Sequence, residues 1–323
     1  MKIGIDAMGG DFAPEAIVKG AVLATPDLPN NVQLVLIGKQ DIVNELLAKY
    51  NYQGSQIEVV HAEDVVEMGE HPTKALSQKP HSSISVGFKL LKEKNIDIFC
   101  GAGNTGAMHV GALFSIKAIE GIIRPAIVGL VPQKKGGYAA MLDIGANADC
   151  KPEVLEQFGV IGSIYAQYTF GIDNPRVALM NIGEEEQKGS LIAQAAHQLL
   201  KENSRINFVG NMEGGDFFDD KADVIITDGF TGNALFKLAE SFYTVASERG
   251  IKDDYIDKMN YEAVGGSSIV GVNGNVMIAH GISSPIAIKN MISWARKQVE
   301  AQTHVHIAKA LSWNHLYCHT FEL

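Results

Sequence analysis

Short apolar runs recur along the 323-residue chain, and each stops at a turn rich in glycine, asparagine or aspartate. "KIGID" runs into "AMGGDFAPEA", and "VQLVLIG" into "DIVNELLAKY", whose Ile42, Val43, Leu46 and Leu47 share one helical face. "QIEVVHA", "IDIFCGAG", "AIVGLVP", "AAMLDIGAN", "RVALMNIG", "INFVGN" and "VIITDGFTGN" follow. These runs are apolar throughout rather than alternating, the pattern of parallel strands covered on both faces. Strands that hand over to helices predict an α/β fold: doubly wound, three-layer αβα, with a mostly parallel sheet. No Pro/Ser-rich linker, low-complexity stretch or fixed-period repeat interrupts the pattern, so the expectation is a single α/β domain over 1–323 with a small helical subdomain around residues 234–264.

In such folds ligands sit beyond the carboxyl ends of the strands. The turns there carry Asp6, Gly9, Gly10 and Asp11; Gly101, Gly103, Asn104, Thr105 and Gly106; Asp143, Gly145 and Asn147; Asn181, Gly183 and Lys188; and Asp228, Thr231, Gly232 and Asn233. Glycines at a strand-to-helix turn let backbone N–H groups approach an oxyanion, and the helix behind adds the positive end of its dipole. Lys188 follows "NIGEEEQ" and can meet a phosphate as a mobile point charge; the competing reading is a solvated lysine neutralising Glu184, Glu185 and Glu186. His280 closes "VMIAH" as an oxyanion donor, an acid/base group or a structural histidine. The aspartates would repel a phosphate directly and fit better as acceptors for turn N–H groups. An Mg²⁺ site built from converging carboxylates is the alternative, without a compact ligand motif to support it.

"GAGNTGA" spells G-x-G-x-x-G, which raises an NAD-dependent, metal-assisted dehydrogenase. The fingerprint also wants a ribose-binding carboxylate ~20 residues on, closing the next strand; Glu120 lies in that neighbourhood but stands in "IKAIEGIIRP", which reads as the end of a helix and counts against NAD. There is no G-x-S-x-G elbow, no G-x-x-x-x-G-K-[ST] and no H-E-x-x-H. Cys100 reads as a buried core thiol rather than an acyl carrier. His304, His306, His315, Cys318 and His319 match no standard zinc spacing and read as a polar tail.

A net charge of -10 and a pI near 5.5 disfavour nucleic acid and anionic lipid as non-specific partners. "MKIGIDAMGG" enters a strand and turn without a basic region and apolar core. Three unclustered cysteines offer no disulfide framework, so the expected compartment is the reducing cytoplasm.

Taken in order, "DAMGGDFAPE", "GAGNTGA", "RPA", "LDIGAN", "NIGEEEQKG", "GNMEG", "TDGFTGN" and "GGSSIVGVNGNVMIAHG" resemble the bacterial phosphate acyltransferases of phospholipid synthesis, from Met1 to about Trp294. The resemblance implies that long-chain acyl-acyl carrier protein and inorganic phosphate give acyl phosphate and free carrier protein. It implies a fold similar to isocitrate/isopropylmalate dehydrogenases and phosphotransacetylases, and a cytoplasmic homodimer that visits the membrane surface. A membrane glycerol-3-phosphate acyltransferase would take the product. No cofactor is required: phosphate near neutral pH is already a nucleophile, and a thiol with pKa ~8.5 is a good leaving group. On this chemistry the turns at Gly9–Gly10, Asn104–Thr105 and Thr231–Asn233 hold phosphate and the developing oxyanion. Lys188 neutralises phosphate, Asp6 and Asp228 position loops, and His280 assists the leaving thiol. Two stretches depart from the family. Where it carries a longer, Lys-rich helical excursion, this chain has "IKDDYIDK", the candidate docking element for carrier protein or membrane; and "LSWNHLYCHTFEL" matches nothing in it.

Overall fold

The computed structural model describes residues 1–312. In chain order the elements are β1 (Lys2–Asp6), α1 (Glu15–Ala24), β2 (Gln33–Gly38), α2 (Gln40–Lys49), β3 (Ile57–His61), α3 (Pro72–Gln78), α4 (Ser83–Lys92), β4 (Ile98–Gly101) and α5 (Thr105–Ser115). Then come β5 (Ala126–Pro132), β6 (Tyr138–Leu142), α6 (Pro152–Phe170), β7 (Arg176–Met180), α7 (Leu191–Glu202), β8 (Asn207–Met212), β9 (Val224–Ile226) and α8 (Gly229–Glu248). The chain continues with α9 (Tyr261–Val264), β10 (Ser267–Val270), β11 (Asn275–Ile278), α10 (Pro285–Glu300) and α11 (Thr303–Ser312).

These elements group into two compact units: Met1–Ala118 with Tyr261–Glu300, and Ile119–Asn260 with residues 301–312. The sequence pattern alone suggested one domain. The boundary is invisible in it because no linker marks the crossing, and the chain returns to the first unit within "MNYEAV". Residues 234–264 accordingly divide between the units. Most of them continue α8 and a 3-10 turn at Ile256–Met259, and the last form α9.

In the first unit the strand order is β3-β2-β1-β4-β11-β10. β1 to β4 and β11 are parallel to their neighbours, and β10 returns antiparallel on β11. The β1 side chains Ile3 and Ile5 are fully buried, in a core with Leu34, Leu36, Ile98 and, from α10, Ile288, Met291 and Ile292. Burial on this scale is the main force holding helices against a sheet. On α2, Val43 joins that core and Leu46 and Leu47 pack against it, but Ile42 remains 40% exposed; the expected four-residue face is thus three residues wide. Asn273 ties the β10–β11 turn to the end of α5 by donating to the carbonyls of Ile116, Lys117 and Ala118.

In the second unit the order is β5-β6-β9-β7-β8. β6, β9, β7 and β8 are parallel, whereas β5 and β6 form an antiparallel pair. "AIVGLVP" is therefore followed by a hairpin rather than a helix, because "QKKGG" supplies consecutive glycines with positive φ at Gly136 and Gly137. α5 stops at Ser115, and the stretch around Glu120 is a turn, not a helix end: Lys117 takes φ 65°, a left-handed geometry that ends a helix. Residues 303–312, expected as polar tail, form a helix instead. His306 stacks on Tyr168 of α6 with ring centroids 3.5 Å apart, and Thr303 bonds Thr169. His315, Cys318 and His319 lie outside the described residues.

Truncating Ile5 to alanine removes a fully buried side chain at the centre of the first unit. The expected loss is about 2–5 kcal/mol of stability, read as a lower urea midpoint at unchanged slope.

Candidate active site

Parallel strands end on the same edge, so their exit turns stand side by side. In the first unit β1, β4 and β11 are consecutive parallel neighbours, with Ile5 beside Cys100 and Gly101 beside Ile278. Their turns carry Asp6, Gly9, Gly10 and Asp11; Gly103, Asn104, Thr105 and Gly106; and His280. In the second unit β6, β9 and β7 stand in that order, with Leu142 and Leu179 both beside Ile226. Their turns carry Asp143 to Asn147; Asp228 with Thr231, Gly232 and Asn233 on the first turns of α8; and the Asn181–Lys188 loop. The candidate residues thus form two clusters, one on each unit.

The turns are built by buried carboxylates. Asp143 has no exposure to solvent. Its Oδ1 accepts from the N–H groups of Ile127, Gly145 and Ala146, and its Oδ2 from the backbone and side-chain amides of Asn147. Such a set of donors satisfies an ionised carboxylate without a cation. Asn147 also donates to Pro125 O and accepts Gly229 N–H through its own carbonyl, which joins the β6 turn to the start of α8. Asp228 caps α8: Oδ1 accepts Thr231 N–H at 2.7 Å and Oδ2 accepts the Thr231 hydroxyl. Gly232 lies against the same turn, where a Cβ would fall 1.9 Å from Asp143 O. Asn233 is exposed and donates to Ile144 O.

Asp6 is the first unit's counterpart, 1% exposed at the end of β1. Burial pushes its carboxyl above the ordinary range, against the Met8 N–H, which donates to Oδ1 at 3.0 Å and favours the charged form; among the described residues, buried Oδ2 and the Ser83 hydroxyl have no hydrogen-bond partner. Gly9 fits over it because a Cβ there would lie 2.4 Å from Asp6 Oδ2 and 2.8 Å from Gly103 Cα. Gly106 likewise lies against Pro72, so the glycines of "GAGNTGA" serve packing between loops of one unit. Asn104 is buried; its Oδ1 caps α5 through Ala107 N–H, and its amide donates to the carbonyls of Glu67, Met68 and Glu70. Its side chain is committed to the protein, and the turn offers a ligand the backbone at Thr105 and Gly106. Gly10 and Asp11 meet the β11 exit, where Asp11 N–H donates to Gly281 O at 2.7 Å. His280, half-buried, packs its ring 5.2 Å from that of Tyr261.

Lys188 is exposed. Two of the three glutamates expected to neutralise it have other partners: Glu184 pairs with Lys221 and Glu186 with Lys201, each at 2.5 Å. Among the described residues no ion pair forms to Lys188. Its loop is nonetheless well held. Asn181 donates to Lys188 O and accepts Ile182 N–H, and Asn211 donates to Glu185 O. Asn211 Oδ1 in turn meets His197 Nδ1 at 2.9 Å, with both residues buried. This brace lies outside the residues singled out above. Its signal is a polar residue inside a strand-like run, "INFVGNM", and a histidine on the inner face of an otherwise aliphatic helix: each, once buried, demands a partner.

The Cys100 thiol is fully buried and pushed far above its usual pKa, and burial raises Cys150 to about 11, so neither is a nucleophile. Asp143 and Asp228, weighed as Mg²⁺ ligands, accept from the protein's own N–H groups. Among the described residues no cluster of three or more His, Cys, Asp or Glu could hold a metal.

The model of the family described as "Fatty acid synthesis protein" matches residues 1–249. A phosphate acyltransferase of Dictyoglomus turgidum is 43% identical over 331 aligned residues, covering 97% of this chain and 98% of that protein. The chain belongs to the phosphate acyltransferase family. Another member, from Acetivibrio thermocellus, is 43% identical over 94% of each chain. Solved structures with a similar fold include a phosphotransacetylase from Streptococcus pyogenes (TM-score 0.66, 16% identity, 93% of this chain and 94% of that one). A 4-hydroxythreonine-4-phosphate dehydrogenase from Klebsiella pneumoniae is similar at TM-score 0.54 (16% identity, 95% and 97%). At such identities the likeness concerns the fold, which the family shares with both acyl-transfer and dehydrogenase enzymes.

Two outcomes check this geometry. Asp143→Ala strands buried N–H donors and should cost at least about 2 kcal/mol, read by thermal unfolding. Asp6 works the other way. Its raised folded pKa means the unfolded chain releases the proton first, so this group's contribution is full below the ordinary carboxylate pKa and is lost as pH rises through the folded value. Asp6→Asn should therefore gain melting temperature relative to the parent as pH rises from 4 to 8 (roughly, by linkage).

Proposed function

We propose that the protein transfers a long-chain acyl group from the thioester of acyl carrier protein to inorganic phosphate, giving acyl phosphate and free carrier protein for phosphatidic acid synthesis. A phosphate oxygen attacks the thioester carbonyl carbon, the tetrahedral oxyanion collapses, the C–S bond breaks, and the thiolate takes a proton. Dianionic phosphate is nucleophilic without a base, and a thiol of pKa ~8.5 leaves readily. The protein's task is to orient the reactants and stabilise developing charge, and no metal or nucleotide enters the scheme.

One observation carries the reading: in a chain 43% identical to phosphate acyltransferases, three turns leave adjacent parallel strands of the second unit together, one bearing a lysine without an ion pair among the described residues. Lys188 neutralises phosphate. Thr231, Gly232 and Asn233, at the positive end of α8, favour the oxyanion. Asp228 and Asp6 hold their loops. His280 assists the departing thiol. The exposed Leu238, Phe242 and Val245 recur at helical spacing on α8 and support an apolar interface, as a homodimer or a transient membrane contact would use. No described helix is long and apolar enough to cross a membrane.

The test incubates the protein with palmitoyl-acyl carrier protein and phosphate and detects palmitoyl phosphate by mass. Product from acyl-CoA alone would change the donor, and no product from either thioester would overturn the assignment. Lys188→Ala should lower kcat/KM for phosphate at least about a hundredfold, in line with the loss of one oxyanion-stabilising group, with an unchanged melting temperature; full turnover would remove Lys188 from the scheme.

A further inference from the structure

Beyond the Gly9–Gly10–Asp11 turn the first unit opens a groove of about 520 Å³, within the ~300–1,000 Å³ of small-ligand clefts. Phe12, Pro14 and Ala16 at the head of α1 form one wall, and Ile42, Leu46 and Tyr50 on α2 the other. Pro285, the first residue of α10, closes one side. Phe12 is 58% exposed and Ile42 40%. An aromatic ring and an isoleucine facing water in the same concavity are unusual in a unit that otherwise buries its apolar strands.

We infer that this groove receives the alkyl chain of the acyl substrate. The inference rests on the acyl-transfer reading above and names the part of the substrate held here. Its lining is mainly hydrocarbon. Of its two charged residues, Glu15 is already met by Lys49 Nζ and the Tyr50 hydroxyl, both at 2.7 Å. Lys19 Nζ stands 6.0 Å from the centre of the Tyr50 ring. The walls therefore call for an apolar occupant rather than a carboxylate or a phosphate. Its position sets the polarity. The groove starts at Phe12, directly after Asp11, whose N–H is fixed on Gly281 O beside His280. An alkyl chain lying along α1 and α2 thus leaves its carbonyl end at the Gly9–Gly10 and His280 turns. Each methylene withdrawn from water is worth roughly a fourfold gain in affinity, so the groove selects long chains over short ones.

The test has a binding arm and a turnover arm. In the first, the fluorescent polyene fatty acid cis-parinarate is titrated into the full chain and displaced with palmitate. Ile42→Glu on α2 and Phe12→Ser at the head of α1 alter opposite walls at exposed positions, and melting curves establish that both fold. We expect each variant to weaken probe binding at least roughly tenfold, as loss of two or more methylene contacts would. In the second arm, the ratio of kcat/KM for palmitoyl to butyryl thioester should fall by a similar factor. Equal probe binding by parent and variants, no probe binding by the parent, or an unchanged chain-length ratio in active variants would overturn the groove. Variants that shift sedimentation mass while binding the probe normally would mark it as a contact between copies, which also overturns it. If the parent binds the probe as expected but makes acyl phosphate from no thioester, the acyl-transfer reading falls and the alkyl site stands.

Discussion

A carboxylate with no exposure to water organises the second unit. Asp143 gathers N–H groups from the β5 strand, from its own turn and from the Asn147 side chain. Asn147 O passes the constraint to Gly229, where α8 begins. An ionised group can be buried at acceptable cost only when its lone pairs are filled. That requirement fixes three segments at once: the end of β6, the start of β5 and the first turn of α8. The Gly232 contact shows how tight the arrangement is, since the α8 backbone approaches the Asp143 carbonyl more closely than a side chain permits.

The first unit puts an aspartate at the equivalent place, the end of a central parallel strand, and reaches a different balance. Asp6 is as buried as Asp143 but has fewer donors, and desolvation outweighs hydrogen bonding, so its carboxyl is pushed above the ordinary carboxylate range. Two turns cross directly above it at Gly9 and Gly103. The common principle is that an inward aspartate accepts N–H groups of the glycine turn beside it and so fixes that turn.

Charge is arranged with the same economy. The molecule carries a net charge of -10, so attraction for phosphate has to be local. In the Lys188 loop Glu184 and Glu186 are drawn aside by Lys221 and Lys201, and the loop is anchored through Asn181, Asn211 and His197. Exposed ion pairs of this kind add little stability, but they leave Lys188 without an ion pair among the described residues. The groove between α1 and α2 extends the division of labour, with its apolar walls set apart from the polar Gly9–Gly10–Asp11 turn that directly precedes Phe12.

The strands and the positions of the turns were legible in the sequence because both are local. Unbroken apolar runs identify strands buried on both faces, and glycine with asparagine or aspartate identifies the exits. The candidate residues, from Asp6 to His280, were singled out on the same local grounds. What each does depended on neighbours far along the chain. Asn104 looks like a ligand residue but spends its amide on the 67–70 carbonyls; Glu184 looks like the partner of Lys188 but binds Lys221. The division into two units, the β5–β6 and β10–β11 reversals, the helical end at Thr303–Ser312 and the His197–Asn211 brace were likewise decided by tertiary packing. Local pattern records which residues seek burial and which seek a hydrogen-bond partner; only the folded chain chooses the partner, because that choice is made by distance in space rather than along the sequence.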